Sequence, residues 1–229
     1  MAKTVELIYD VREGLSAYSD DSEYSNEYIV YLYGIKRAKY LRQDLNNYQR
    51  SRDNSILQTL CLGLEEVTVD ECSIDLTCEK ILRTKSPLPI PLELHSKVAI
   101  TKVKPTNRIA IPFNFISKDK VPFLQGATFK NGIYAFLDND NYIYVVSPTD
   151  SYKLLECITI TGVFEDPLSL ANYSNCCNCE EDSSSCFDEL ESEYPLQPHY
   201  IDLIRKEIIS DLLEVKNVQE DKTNDSNDI

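Results

Sequence analysis

The spacing of apolar residues switches twice along this chain, from helical to extended and back, and that double switch constrains the fold most. Near the start, Val5, Ile8, Val11 and Leu15 share one face of a helix expected over 5–15. Thr4 is its expected cap, and Gly14 lies near its end. A polar turn, SAYSDDSEYS, follows. Ser25 then caps a long helix expected over 26–48, about 35 Å in length. Tyr31, Ile35, Ala38, Leu41, Leu45 and Tyr48 follow steps of three and four, a stripe that must face protein. On the opposite side Lys36, Arg37, Lys39 and Arg42 form a cationic edge, continued by Arg50 and Arg52, which is either a solvated face or a contact for an acidic partner surface or phosphate.

After Asn54 the texture becomes that of strands. SILQTLCLGL, VTVDECSID, KVAITKV, RIAIPFNFI, GIYAFLD, YIYVVS and KLLECITITGVF are short runs rich in Val, Ile, Thr, Tyr and Phe. GIYAFLD and YIYVVS are separated by turn residues 138–141, which predicts a hairpin. SPLPIPLEL alternates Pro87, Pro89 and Pro91. It is expected to be an extended connector or edge, because proline donates nothing to a ladder.

An acidic Cys- and Ser-rich stretch follows, and helical spacing then returns in EYPLQPHYIDLIRKEIISDLL. Pro198 suits a first helical turn, where its missing N–H costs nothing. Ile201, Ile204, Ile208 and Leu212 share one side, widened by Leu203, Ile209 and Leu213. Such a face needs cover, and so do the N-terminal stripes. The fold class expected is therefore α+β: N- and C-terminal helices forming a small bundle, with an inserted, mainly antiparallel β-domain. The divisions are 1–54 with 194–215 for the bundle, 55–167 for the β-domain, 168–193 for an acidic Cys-rich loop and 216–229 for a flexible arm.

Composition narrows the function. With 38 acidic and 23 basic residues the net charge is -15, which argues against a surface that wraps nucleic acid. No apolar run approaches the roughly 20 residues of a membrane span, and MAKTVELIYD lacks signal-peptide anatomy, so a cytoplasmic origin is expected. Cys176, Cys179 and Cys186 are the candidate metal ligands, since thiolates at C-x2-C spacing can grip Zn2+. Only one such pair is present, and reduced thiols are the alternative, with Cys61 and Cys157 as core strand residues. Neither His95 nor His199 sits in a nucleophile motif, and CCNCEED is the wrong electrostatic setting for a catalytic thiolate. DNDN at 138–141 lacks the glycine and terminal glutamate of a calcium loop, and no phosphate-binding loop is present. No catalytic residue and no cofactor site is expected, and the chain reads as a non-enzyme.

Helices at both ends around a β insertion resemble the head-to-tail adaptor, or ring, proteins of short-tailed bacteriophages. YIVYLYGIKRAKYLRQDLNN, LCLGLEEV, FNFISKDK, ITGVFEDP and EYPLQPHYIDLIRKEI look like the neck proteins of crAss-like phages. The resemblance implies a structural virion protein of the neck, assembled in the host cytoplasm. It would form a ring of about twelve copies joining the portal protein to the tail and touching other neck or tail ring proteins. Genomic DNA would at most pass through the channel, and no membrane is involved. On this reading Lys36, Arg37 and Arg42 are the partner-binding residues, meeting the acidic stretch of a neighbouring subunit. The competing reading is a zinc-stabilised accessory or regulatory module that binds through the cysteine loop.

Overall fold

The computed structural model describes residues 2–18, 24–47, 54–68, 80–106, 111–123, 132–147, 154–170, 173 and 190–220. It comprises two compact units, Met1–Ile56 with Phe187–Ile229, and Leu57–Cys186. The fold is α+β, with three α-helices among the described residues and a mainly antiparallel sheet.

In the first unit, α1 spans Thr4–Ser16, α2 Asn26–Asn46 and α3 Pro198–Glu220. Lys3, not Thr4, is the N-cap of α1. The Glu6 carboxylate accepts its backbone N–H at 2.9 Å, while the Thr4 hydroxyl turns to the Ser192 carbonyl at 3.3 Å. Leu7, Ile8, Val11 and Leu15 are buried. At α2 the Ser25 hydroxyl accepts the Tyr28 N–H at 3.2 Å, as its side chain predicts. On α3, Tyr200, Ile204, Ile208 and Leu212 are buried. This helix runs to Glu220, into the segment expected as an arm from Lys216.

The inward face of α2 differs from the expected stripe. Ile29, Tyr33, Arg37, Ala38 and Leu41 are the buried residues, whereas Tyr31 and Ile35 are exposed. Arg37 is therefore not part of a solvated edge. It is 0% exposed, donates from Nε to the Pro195 carbonyl at 2.9 Å, and lies 6.0 Å from the Tyr194 ring centroid. An amphipathic cation buries its stem and finds a carbonyl and an aromatic face for its head.

In the second unit seven strands form one sheet, among the described residues: β1 Gln58–Thr68, β2 Lys80–Thr84, β3 Ile100–Pro105, β4 Asn114–Phe115, β5 Tyr134–Leu137, β6 Ile143–Val146 and β7 Cys157–Gly162. Their order is β3-β7-β1-β2-β6-β5-β4, with every neighbour antiparallel except the β4–β5 pair. Alternation sets the faces: in β7, Ile158 and Ile160 are buried and stand opposite Leu62 and Leu60 of β1. β6 is buried on both sides. Ile143 and Val145 join Leu60, Leu62 and Phe164, while Tyr144 and Val146 join Phe136 and Val121.

The β5–β6 hairpin turns at 138–141 as expected, with Asn141 at φ 63 in the left-handed region. Its carboxylates are used within the turn and beside it. Asp138 accepts from Lys118 Nζ at 2.6 Å, and Asp140 accepts from the Tyr142 N–H and the Tyr144 hydroxyl, both at 3.0 Å. The proline segment pairs only through isolated bridges, Pro91 with Phe164 and Glu93 with Val98. Cys61 is buried in β1, as expected of a core residue, but is disulfide-bonded and not reduced, whereas Cys157 keeps its thiol and is only partly buried.

Candidate ring interface

Two outward surfaces of the helical unit stand out, and both follow from how its helices use their faces. On α2, steps of three and four from Tyr28 lead to Tyr31 and Ile35, then to Lys39 and Arg42. Tyr28, Tyr31 and Ile35 are 43%, 61% and 46% exposed and point away from the buried Ile29, Tyr33, Arg37 and Leu41. Tyr24 stacks on Tyr28 with ring centroids 6.1 Å apart, and Tyr28 on Tyr31 at 6.5 Å. The result is an aromatic ridge at the N-terminal half of α2 that becomes cationic toward its C-terminal half, so Lys39 and Arg42 share the line of Tyr31 and Ile35 and do not lie opposite it as expected.

The second surface is a groove of about 720 Å³ between α1 and α3. Gly14, Ala17, Ile209 and Leu213 contribute its apolar lining. Asp10 and Glu13 supply acid from α1, and Arg205 and Lys206 supply base from α3. Gly14 permits this closeness, because a Cβ there would collide with Cδ1 of Ile209.

Between these surfaces α2 and α3 are held by charge. Lys36 lies 2.5 Å from Asp211 and 3.2 Å from Glu207, and Lys39 lies 2.6 Å from Glu207. The Tyr40 hydroxyl donates to the other Glu207 oxygen at 3.0 Å, and its ring stacks on Tyr200 at 5.2 Å. The Tyr200 hydroxyl in turn donates to Asp44. Burial opposes the Lys36 charge, but hydrogen bonds to Asp211 and Glu207 more than offset it and raise its pKa. Burial likewise disfavours the Glu207 carboxylate, yet Lys39, Lys36 and Tyr40 outweigh it and hold its pKa below the usual range.

These surfaces acquire meaning from comparison with known proteins. Residues 6–228 match a family model described as phage tail ring protein 2. The chain belongs to that family. It is also 26% identical over 210 residues to Ring protein 2 of Bacteroides phage crAss001, covering 89% of this chain and 88% of that protein. Phage tail ring proteins are structural components of the virion, and a ring subunit must contact its own kind through two unlike faces.

Within this ring protein the residues singled out from sequence have separate fates. Arg37 is interior, Lys36 is engaged by the acids of its own α3, and Arg42, which also has a contact within the chain, lies partly exposed on the line of the ridge. Cys176, Cys179 and Cys186 lie outside the described residues. Among the described residues no group of three His, Cys, Asp or Glu side chains is placed to hold a metal. No helix among them is long and apolar enough to cross a membrane. His199 packs on Tyr200 with centroids 4.1 Å apart, and His95 occupies an exposed bend. The groove was not foreseen. Its one sequence signal is Gly14 inside a helical pattern, which does not say what stands opposite.

Proposed function

We propose that this chain is the repeating unit of a neck ring that joins the portal to the tail, with about twelve copies closing by rotation. Match to a ring-protein family over residues 6–228 carries the reading. The three helices are taken as one small bundle that forms the ring wall. Its apolar faces and the Lys36–Glu207–Asp211 lock would make that wall stiff. The β-sheet unit is the surface offered to other neck or tail proteins. The role is structural and not enzymatic. A net charge of -15 suits a channel through which DNA slides without sticking. Assembly takes place in the host cytoplasm, and the end of α3 with the residues after it docks on the portal.

Negative-stain images of the purified chain mixed with assembled portal test this. Rings seated on portal are expected, and monomers beside bare portal would refute it. Deleting residues 216–229 should weaken portal binding while leaving the chain folded. Undiminished binding would remove the C-terminal segment from the contact.

A further inference from the structure

The faces by which copies meet follow from the same surfaces, given the ring reading above. We propose that the α2 ridge of one copy seats in the α1–α3 groove of the next, with Tyr28, Tyr31 and Ile35 as the inserted residues.

Four observations point to a second copy as the occupant. First, a ring closes only if each subunit carries two different, complementary faces, and the helical unit presents a ridge on α2 and a groove between α1 and α3. Second, the ridge is aromatic and contiguous, of the kind that anchors interfaces, and monomeric proteins seldom leave such patches uncovered. Tyrosine suits this position because its ring fills an apolar floor while its hydroxyl needs a polar rim. The groove supplies both, with Ile209 and Leu213 among its apolar lining and Asp10, Glu13, Arg205 and Lys206 among its polar lining. Third, the charges complement. Arg42 and Lys39, the latter also paired with Glu207 of its own chain, continue the ridge, while Asp10 and Glu13 edge the α1 side of the groove, with Glu6 one turn before Asp10.

Fourth, Gly34 lies beside the ridge in the middle of α2, and nothing is within 4 Å of where its Cβ would stand. A mid-helix glycine costs about 1 kcal/mol relative to alanine. Among the described residues of the chain no neighbour requires that sacrifice. A backbone approaching from the adjacent copy does.

Ridge and groove would form the central anchor of a larger contact, since a stable interface buries about 800 Å² on each partner. The contact is head-to-tail, so ridge and groove are used once per copy and none is left over in a closed ring.

The test uses the full chain under conditions where the wild type forms rings, with portal if portal is needed. Tyr31→Asp places charge on the ridge, and Ser210→Trp fills the groove from an exposed position, so neither touches the core. Each should raise the concentration needed for ring formation about tenfold or more while leaving the far-ultraviolet circular dichroism unchanged. Tyr31→Phe should assemble far better than Tyr31→Asp. A benzophenone amino acid at position 31, photolysed in the assembled ring, should cross-link to residues 10–18 or 205–213 of a neighbouring copy. Cross-links mapping elsewhere, or normal assembly of both variants, would overturn the ridge-and-groove contact and leave the ring reading intact. Absence of any ring from the wild type, alone or with portal, would overturn both.

Discussion

Replacing Gly34 with alanine should stabilise the isolated chain, and the size of the effect can be worked from the structure. Gly34 lies well inside α2, its φ is not positive, and a Cβ there would meet, among the described residues, nothing within 4 Å beyond its own stretch of helix. No steric cost is therefore set against the intrinsic preference of alanine for helix, about 0.8–1.0 kcal/mol. Most of that gain comes from restricting the unfolded chain, so it does not depend on new contacts. For a chain of this size, 1 kcal/mol corresponds to about 2–4 °C in Tm. Thermal unfolding of the monomer followed at the helical circular dichroism band should show that rise. A Tm unchanged or lowered by several degrees would refute the reasoning, because it would mean that the methyl meets something in the folded chain. Ring assembly supplies the contrast: where a neighbouring copy approaches this backbone, Gly34→Ala should assemble less readily despite its higher Tm.

Other perturbations probe other parts of the fold. Gly162→Ala should destabilise by about 1–3 kcal/mol, since its Cβ would stand 2.8 Å from the Ala99 carbonyl and 3.3 Å from the Ile100 Cα. A lowered urea midpoint checks this, and a neutral result would show that the adjoining backbone yields. Arg37→Ala should cost about 2–4 kcal/mol by leaving a void and stranding the Pro195 carbonyl, seen in chemical denaturation. A loss below 0.5 kcal/mol, typical of a surface site, would refute its interior role. Glu207→Gln tests the α2–α3 lock through pH. The folded-state pKa of Glu207 is lowered, so its stabilisation is present above the ordinary value of 4.5 and disappears as pH falls through the folded value. Wild type and variant should therefore differ in Tm at neutral pH and converge in acid; a gap that persists in acid would point to lost packing instead.

How much of this was legible in sequence depends on how local each determinant is. Ser25 reads as a cap because the bond it makes is to Tyr28, three residues on. The hairpin reads from 138–141 because turn and strands are contiguous. Thr4 misleads by one position because its hydroxyl is drawn to Ser192, from the other end of the chain. Strand order escapes sequence altogether: β1 lies between β7 and β2, and the proximity of β7 is set by a pairing of Leu60 with Ile160 that no local pattern announces. Nor does any local signal show that β4 pairs parallel to β5 while the rest of the sheet is antiparallel. The groove needs two helices far apart in sequence, and Gly14 alone does not reveal that Ile209 stands opposite.

The stripe on α2 is the instructive case, because periodicity registers every face that must be covered without saying by whom. Tyr31, Ile35, Ala38 and Leu41 read as one apolar line, yet Ala38 and Leu41 are buried by the chain itself while Tyr31 and Ile35 are exposed. The inward face takes Tyr33, which the expected stripe omits, and Arg37, which pattern reading places on the cationic edge. In a self-contained monomer such an apolar surplus on the outer face would be a liability. In a ring protein the same line can be shared, one part of it covered from within and the remainder by the neighbouring copy. The positions at which the periodic expectation and the single-chain structure part company, Tyr31 and Ile35, are therefore the ones at which assembly should be most sensitive to substitution.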